Sequence, residues 1–154
     1  MTVRIMAIGN AMFAGEAKFV DLETGHVMSS WLVDAKIAQR PKCPIPIPMY
    51  SKASIYQKYL TELLDQVPFA NEFMLKYYPE LEEVMQWYPE CDQYQYIDVA
   101  FHFAEDFDSQ IIYNRKHRTL PFDPSFQTFD EYYTKYKMQL AKEWCKKEGI
   151  EWCE

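Results

Sequence analysis

The chain has 154 residues and a mass of 18.4 kDa, with 49% apolar and 25% charged residues. This length predicts a single domain over 1–154, and the composition excludes disordered and collagen-like chains. Aromatic residues make up 17% of the chain, which is its most unusual compositional feature. The net charge of −7 argues against a general nucleic-acid or anionic-membrane binder.

The N-terminal segment and the cysteines bear on the compartment. Residues 1–15 lack a basic segment followed by a continuous apolar run, so no signal peptide is predicted there. No stretch approaches about 18 consecutive apolar residues, which predicts no membrane-spanning helix. The four cysteines, Cys43, Cys91, Cys145 and Cys153, form no C-x-x-C pair. We therefore expect a cytoplasmic protein with reduced thiols, without a structural zinc and without a cofactor.

The N-terminal part of the chain is predicted to form an antiparallel β-meander. Its strands are expected over 3–8, 18–22 and 27–33. Gly9 ends the first strand in this interpretation, and Gly25 occupies the turn between the other two. Residues 40–50 contain four prolines, which exclude a helix or a central strand. The proline segment is predicted to be an extended linker or an edge strand.

The middle of the chain is predicted to be helical. Apolar residues recur with a 3.6-residue period over 55–67. Ser54 and Gln57 have the spacing of a capping box for this helix. Two shorter helices are expected over 71–78 and 79–88, each bounded by a proline.

A second strand pair and a C-terminal helix complete the expected fold. Residues 94–103 are aromatic and partly alternating, which predicts a strand, with 110–113 as its partner. The last helix is expected to begin at a capping box formed by Thr128 and Glu131 and to end at Gly149. The predicted fold class is α+β: an N-terminal meander, a helical middle, a second strand pair and a C-terminal helix.

The negative charge is concentrated in residues 77–114, which we call the acidic window. This window holds nine carboxylates, ten aromatic residues and no lysine or arginine. One interpretation is an ordinary solvated acidic surface with its aromatic side chains turned inward. The other is a surface that docks on a basic partner, with charge steering the encounter and aromatic rings supplying the contact area.

The docking interpretation is the function that we expect. It predicts a non-enzymatic protein that binds a basic protein partner, such as an inhibitor or modulator of a nucleic-acid-binding protein that presents carboxylates in place of phosphates. The residues expected to bind the partner are Glu82, Glu83, Tyr88, Glu90, Asp92, Tyr94 and Tyr96. Neither direct nucleic-acid binding nor membrane association is favoured.

A basic cluster, 115–118, follows the acidic window. We interpret it as a loop that neutralises the acidic neighbour, with a phosphate contact as the alternative. A phosphate-binding loop of Walker or Rossmann type is excluded because the chain has only 4 glycines. A small-ligand pocket lined by aromatic side chains is a further possibility, which the sequence does not locate.

The segment FVDLETG, residues 19–25, contains a D-x-E pair formed by Asp21 and Glu23. Paired carboxylates can hold two metal ions that stabilise the attacking and leaving oxygens of phosphoryl transfer. The segment resembles the first motif of DEDD-type exonucleases. The resemblance implies a metal-dependent nuclease or phosphoesterase in which His102 and Asp106 join the pair. The chain departs from that family because the last aspartate of its H-x-A-x-x-D motif is a phenylalanine here and no middle motif is found. The same seven residues are also typical of a plain β-hairpin.

Overall fold

A computed structural model of the protein describes residues 2–29, 43–87, 93–117 and 126–154. The helices are α1 Ile5–Met12, α2 Lys52–Gln66, α3 Pro68–Tyr77, α4 Pro79–Gln86, α5 Gln93–His117 and α6 Phe129–Glu148. The strands are β1 Val3–Arg4, β2 Lys18–Asp21, β3 Val27–Ser29, β4 Pro44–Pro46 and β5 Trp152–Cys153. This combination of helices with two small sheets confirms the α+β class.

The elements form two compact units. Unit 1 comprises residues 1–51 and 134–154, and unit 2 comprises residues 52–133. Helix α6 therefore contributes its first turn to unit 2 and its remaining turns to unit 1. In the described ranges, no helix is long and apolar enough to cross a membrane.

A three-stranded antiparallel sheet of unit 1 contains the hairpin that the sequence predicts. The strand order is β3-β2-β4, and Gly25 closes the β2–β3 turn with a φ of 74°. Strand β4 lies at the end of this order and is formed by Pro44, Ile45 and Pro46, which confirms the edge-strand interpretation of the proline segment. Residues 30–33 of the predicted third strand lie outside the described residues.

The predicted first strand is wrong beyond Arg4, because α1 begins at Ile5. Ile5, Ile8 and Met12 are buried and are spaced three and four residues apart, so they share one helix face. Gly9, which was expected to end a strand, lies inside this helix. A Cβ on Gly9 would lie 3.2 Å from the backbone oxygen of Lys137 in α6. The glycine therefore allows α1 and α6 to approach each other closely.

The C-terminal residues complete unit 1. Gly149 has a φ of 68°, and the Ile150 N–H donates to the Cys145 carbonyl at 2.8 Å, which closes the predicted C-terminal cap of α6. Strand β5 then pairs in parallel with β1. The core of this unit is formed by Val3, Ile5, Ile8, Ala11, Met12, Val20, Ile47, Ala141, Trp144, Cys145 and Ile150.

In unit 2, the first three helices agree with the helices predicted from the sequence, whereas the fourth replaces a predicted strand pair. Helices α2, α3 and α4 lie where helices were predicted, and both α3 and α4 have proline at the first position. The capping box expected at Ser54 is wrong, because α2 begins two residues earlier, at Lys52. Residue 88 at the end of the third predicted helix lies outside the described residues.

The predicted second strand pair is wrong, because residues 93–117 form one helix of 25 residues, α5. The side chains of Tyr96, Ala100, Phe103, Phe107 and Ile111 are fully buried, with 0% exposure. Their spacing of three or four residues gives a single apolar helix face. The partial alternation over 94–103 favoured a strand only because it was considered without the residues that follow.

The first turn of α6 has the capping box that the sequence predicts. The Glu131 N–H donates to the Thr128 hydroxyl at 3.2 Å, and the Thr128 N–H donates to the Glu131 carboxylate at 3.4 Å. Arg115 donates to both oxygens of the Glu131 carboxylate, at 2.5 and 3.0 Å. Arg115, Lys116 and His117 form the last turn of α5, so their predicted loop is wrong. The charges of Arg115 and Lys116 complement the helix dipole. Arg118 lies outside the described residues.

Candidate interaction site

The described part of the acidic window forms α4, α5 and the end of α3 in unit 2. Leu81 and Val84 of α4 are buried, so the residues between them face solvent. Across α4 and α5, the exposed carboxylates are those of Glu80, Glu82, Glu83, Asp98, Glu105 and Asp106. We call Glu80, Glu82, Glu83, Glu105 and Asp106, together with the exposed Tyr77, Trp87 and Tyr94, the acidic face.

The carboxylates of the acidic face are not neutralised by basic side chains of the described residues. Within those residues, neither Glu82 nor Glu83 has a lysine or arginine nitrogen within 4.0 Å, and the same holds for Glu105. Asp98, elsewhere on α5, lies 3.5 Å from the His102 imidazole. The acidic face therefore keeps a negative potential, which physiological salt screens over about 8 Å.

Tyr78 lies close to several of these carboxylates. Burial raises the pKa of Tyr78 to about 12, aided by its hydrogen bond to the Asp106 carboxylate and by the charges of Asp106, Glu80 and Glu105. Each of these charges opposes the formation of a phenolate anion. The carboxylates around Tyr78 thus disfavour a further anion at this position.

A pocket of about 480 Å³ lies beside Tyr78, between α3 and α5. It is lined by Phe73, Tyr77, Tyr78, Asp106, Ser109 and Gln110. This is an aromatic-lined pocket of the kind that the sequence allowed and did not locate. Three of these lining residues are aromatic, one is a carboxylate and two are uncharged polar residues.

The aromatic side of the pocket is held in place by the core. The ring of Phe73 packs edge-on against Phe103 and Phe107, with centroid distances of 6.0 and 5.5 Å. The ring of Tyr78 packs perpendicular to Phe103 at 5.7 Å, and its hydroxyl donates to Asp106. Because Phe103 and Phe107 are buried, these contacts orient two of the three pocket rings before any ligand binds.

The three aromatic side chains of the acidic face are exposed. Tyr94 is 85% exposed, Trp87 is 60% exposed and Tyr77 is 56% exposed. Tyr and Trp are the side chains that most often anchor protein interfaces, because they bury a large area while fixing few torsions. These rings are therefore suited to contact a partner.

Of the seven residues that the sequence assigned to partner binding, the structure describes four, and it places them in different environments. Glu82, Glu83 and Tyr94 are exposed, as that role requires. Tyr96 is fully buried and its hydroxyl donates to Gln57 Oε1 at 3.0 Å, so it belongs to the core of unit 2 and its assignment to the surface was wrong. Tyr88, Glu90 and Asp92 lie outside the described residues.

The D-x-E pair closes the β2–β3 hairpin. Asp21 is buried, and its Oδ1 accepts the N–H of Glu23 at 3.0 Å and that of Cys43 at 3.4 Å. Asp21 belongs to unit 1, whereas His102 and Asp106 belong to unit 2. Over the ranges that the structure describes, no group of three or more His, Cys, Asp and Glu side chains is placed to hold a metal ion. The contacts of Asp21 are those of a hairpin turn.

Sequence reasoning missed Phe73, Ser109 and Gln110 as members of a site. If residues 94–117 are taken as a helix, the sequence does place two pocket residues together, because Asp106 and Gln110 are four residues apart and share a helix face. Phe73 and Tyr77 have the same spacing on α3. The strand prediction removed this signal.

Comparison of the chain with models of known protein families, with curated protein sequences and with solved structures finds no match. The function is therefore inferred from the geometry of the described residues.

Proposed function

We propose that this protein is a non-enzymatic interaction protein whose acidic face binds a basic protein partner. The observation that carries the proposal is the exposure of Glu82, Glu83 and Glu105 without lysine or arginine partners among the described residues, on the same helical unit as exposed aromatic rings. A basic surface would supply the missing counter-charges, and the rings would supply contact area.

Charge and aromatic area have different roles in this proposal. The carboxylates accelerate the encounter with a basic surface and select against acidic partners. Tyr77, Trp87 and Tyr94 supply the apolar burial that slows dissociation. A surface with charge alone would bind weakly at physiological salt, because exposed ion pairs contribute about 0–1 kcal/mol each.

The proposed partner is a nucleic-acid-binding protein, which carries a basic groove for phosphates. Carboxylates on α4 and α5 would occupy that groove, and the protein would act as an inhibitor or modulator. The proposal places the protein in the cytoplasm, where the exposed thiols of Cys43 and Cys153 stay reduced.

Charge reversal on α4 tests the proposal. In the double variant Glu82→Lys/Glu83→Lys, each substitution removes one negative charge and adds one positive charge. The net charge therefore changes from −7 to −3. Both proteins are immobilised and used to capture partners from a lysate of the source cells at about 50 and about 500 mM salt, and the association rate of the captured partner is then measured. We expect capture by the original protein to weaken at high salt, and the variant to associate at least about tenfold more slowly at low salt.

A matched control separates a local effect from the change in total charge. The double variant Glu148→Lys/Glu151→Lys makes the same charge change at two exposed glutamates of unit 1. We expect it to retain most of the association rate. Equal slowing in both variants, or none in either, would remove the acidic face as the binding surface.

A further inference from the structure

The pocket between α3 and α5 combines features that recognise one kind of side chain. Its lining combines the aromatic rings of Phe73, Tyr77 and Tyr78 with the Asp106 carboxylate, which accepts a hydrogen bond from Tyr78. We propose that this pocket binds the guanidinium group of an arginine side chain of the basic partner. The inference rests on the proposed function and assigns one specific contact within it.

The chemistry of the pocket matches a guanidinium better than an ammonium group. A guanidinium is planar, so it stacks on aromatic rings while its N–H groups donate hydrogen bonds in the plane of the guanidinium itself. The Asp106 carboxylate, the Ser109 hydroxyl and the Gln110 side-chain oxygen are acceptors that line the same pocket. A lysine ammonium is compact and strongly hydrated, so it would use the charge and lose the stacking area.

The charges around the pocket favour a cation. The carboxylates of Glu80, Glu105 and Asp106 all lie near Tyr78 and oppose its ionisation, in addition to the effect of its burial. The nearby cation in the described residues is Lys76, whose Nζ lies 5.1 Å from the centroid of the Tyr77 ring. At this distance the Tyr77 ring makes a cation–π contact with Lys76. Lys76 is not among the pocket-lining residues, so it leaves the Asp106 side to a ligand.

The size of the pocket suits a single side chain with its adjoining backbone. Its volume of about 480 Å³ is in the lower part of the range of about 300–1,000 Å³ that small-ligand sites occupy. Because Phe73 and Tyr78 are fixed by core contacts, binding requires little reordering of the pocket.

The experiment uses N-acetyl-arginine amide as the probe and N-acetyl-lysine amide as its counterpart. Each is titrated into the 154-residue protein while backbone amide NMR shifts are recorded. We expect the arginine probe to shift amides of residues 77–78 and 106–110 with a Kd on the order of 1 mM, and the lysine probe to bind at least about threefold more weakly.

Three variants establish whether the pocket is responsible. Asp106→Asn removes the charge and keeps an oxygen that accepts from Tyr78, and we expect it to weaken arginine binding at least about fivefold. Tyr77→Leu keeps apolar bulk at an exposed position and removes the ring, and we expect a loss of the preference for arginine. Asp98→Asn makes the same charge change elsewhere on α5, and we expect unchanged binding.

Equal affinity for both probes, unchanged binding in Asp106→Asn, or shifts confined to other residues would overturn the inference. The titration uses no protein partner, so it is independent of the capture experiment. If the arginine probe fails while Glu82→Lys/Glu83→Lys still slows capture, the proposed function stands without this pocket. If the probe binds as expected while charge reversal leaves capture unaffected, the acidic face is not the surface that binds the partner. The pocket is then a cation-binding site that is independent of the proposed function.

Discussion

The carboxylate of Asp108 in α5 accepts the backbone N–H of Phe129, the first residue of α6, at 2.8 Å. The N–H of Asp130 lies 3.5 Å from the second oxygen of the same carboxylate. The first N–H groups of a helix have no acceptor within it, so α5 supplies the acceptor for the first turn of α6. Burial raises the pKa of Asp108 to about 6, and the charges of Asp130 and Glu131 add to this effect, while the two backbone hydrogen bonds oppose it.

This raised pKa makes stability depend on pH in a defined direction. The folded protein binds the Asp108 proton more tightly than the unfolded chain does, whose value is near 3.8. The stabilising contribution of protonated Asp108 is therefore complete below about pH 4 and is lost as the pH rises through about 6. We expect Asp108→Asn, which keeps an acceptor for Phe129, to gain up to about 2 kcal/mol relative to the original protein between pH 4 and pH 8.

Urea unfolding of both proteins at several pH values between about 4 and 8 measures this difference. If the stability difference between Asp108→Asn and the original protein stayed constant across that range, Asp108 would titrate normally in the folded state.

Tyr94 and Tyr96 provide a second prediction, since they are two residues apart on α5 and have opposite environments. Tyr96 is fully buried and bonded to Gln57, whereas Tyr94 is 85% exposed. We expect Tyr96→Ala to reduce the free energy of unfolding by about 3–5 kcal/mol. Tyr94→Ala should change it by no more than about 0.5 kcal/mol. Equal losses in the two variants would be incompatible with the helical register of α5, and thermal unfolding of the matched pair decides this.

The same pair shows why the sequence misassigned α5. Residues 94 and 96 favour a strand when they are considered alone, because two aromatic residues alternate with polar ones. The helical pattern becomes clear only when Phe103, Phe107 and Ile111 are included, since these buried residues are four apart. The boundaries of α6 were predictable because its capping box and its terminal glycine are local signals.

The pocket could not be predicted in the same way. Phe73 and Asp106 are 33 residues apart in the sequence, and only the packing of α3 against α5 brings them to one pocket. The sequence did indicate that charge and aromatic residues share the acidic window. It did not indicate which rings face solvent, because that depends on the register of α5.

Gly9 gives a third prediction. Alanine is the better helix former by about 1 kcal/mol, so Gly9→Ala would stabilise an isolated helix. Here the added Cβ meets the backbone of Lys137 at 3.2 Å, and a backbone atom moves only if the helix moves. We expect crowding to outweigh propensity and Gly9→Ala to lower the free energy of unfolding by about 1–2 kcal/mol.

Ala7→Gly in the same helix is the control for propensity alone, and it should lose about 1 kcal/mol. Chemical denaturation of both variants gives the comparison. A gain of stability in Gly9→Ala would show that α1 and α6 are not in close contact at this position.

The acidic face is tested most directly by hydroxyl-radical footprinting of the protein with and without its captured partner, read by mass spectrometry. The rings of Tyr77, Trp87 and Tyr94 are exposed in unit 2, and Met49 and Tyr50 are exposed in unit 1. We expect the partner to protect the three rings of the acidic face and to leave the labelling of Met49 and Tyr50 unchanged. Protection of Met49 and Tyr50, with unchanged labelling of Tyr77, Trp87 and Tyr94, would contradict it.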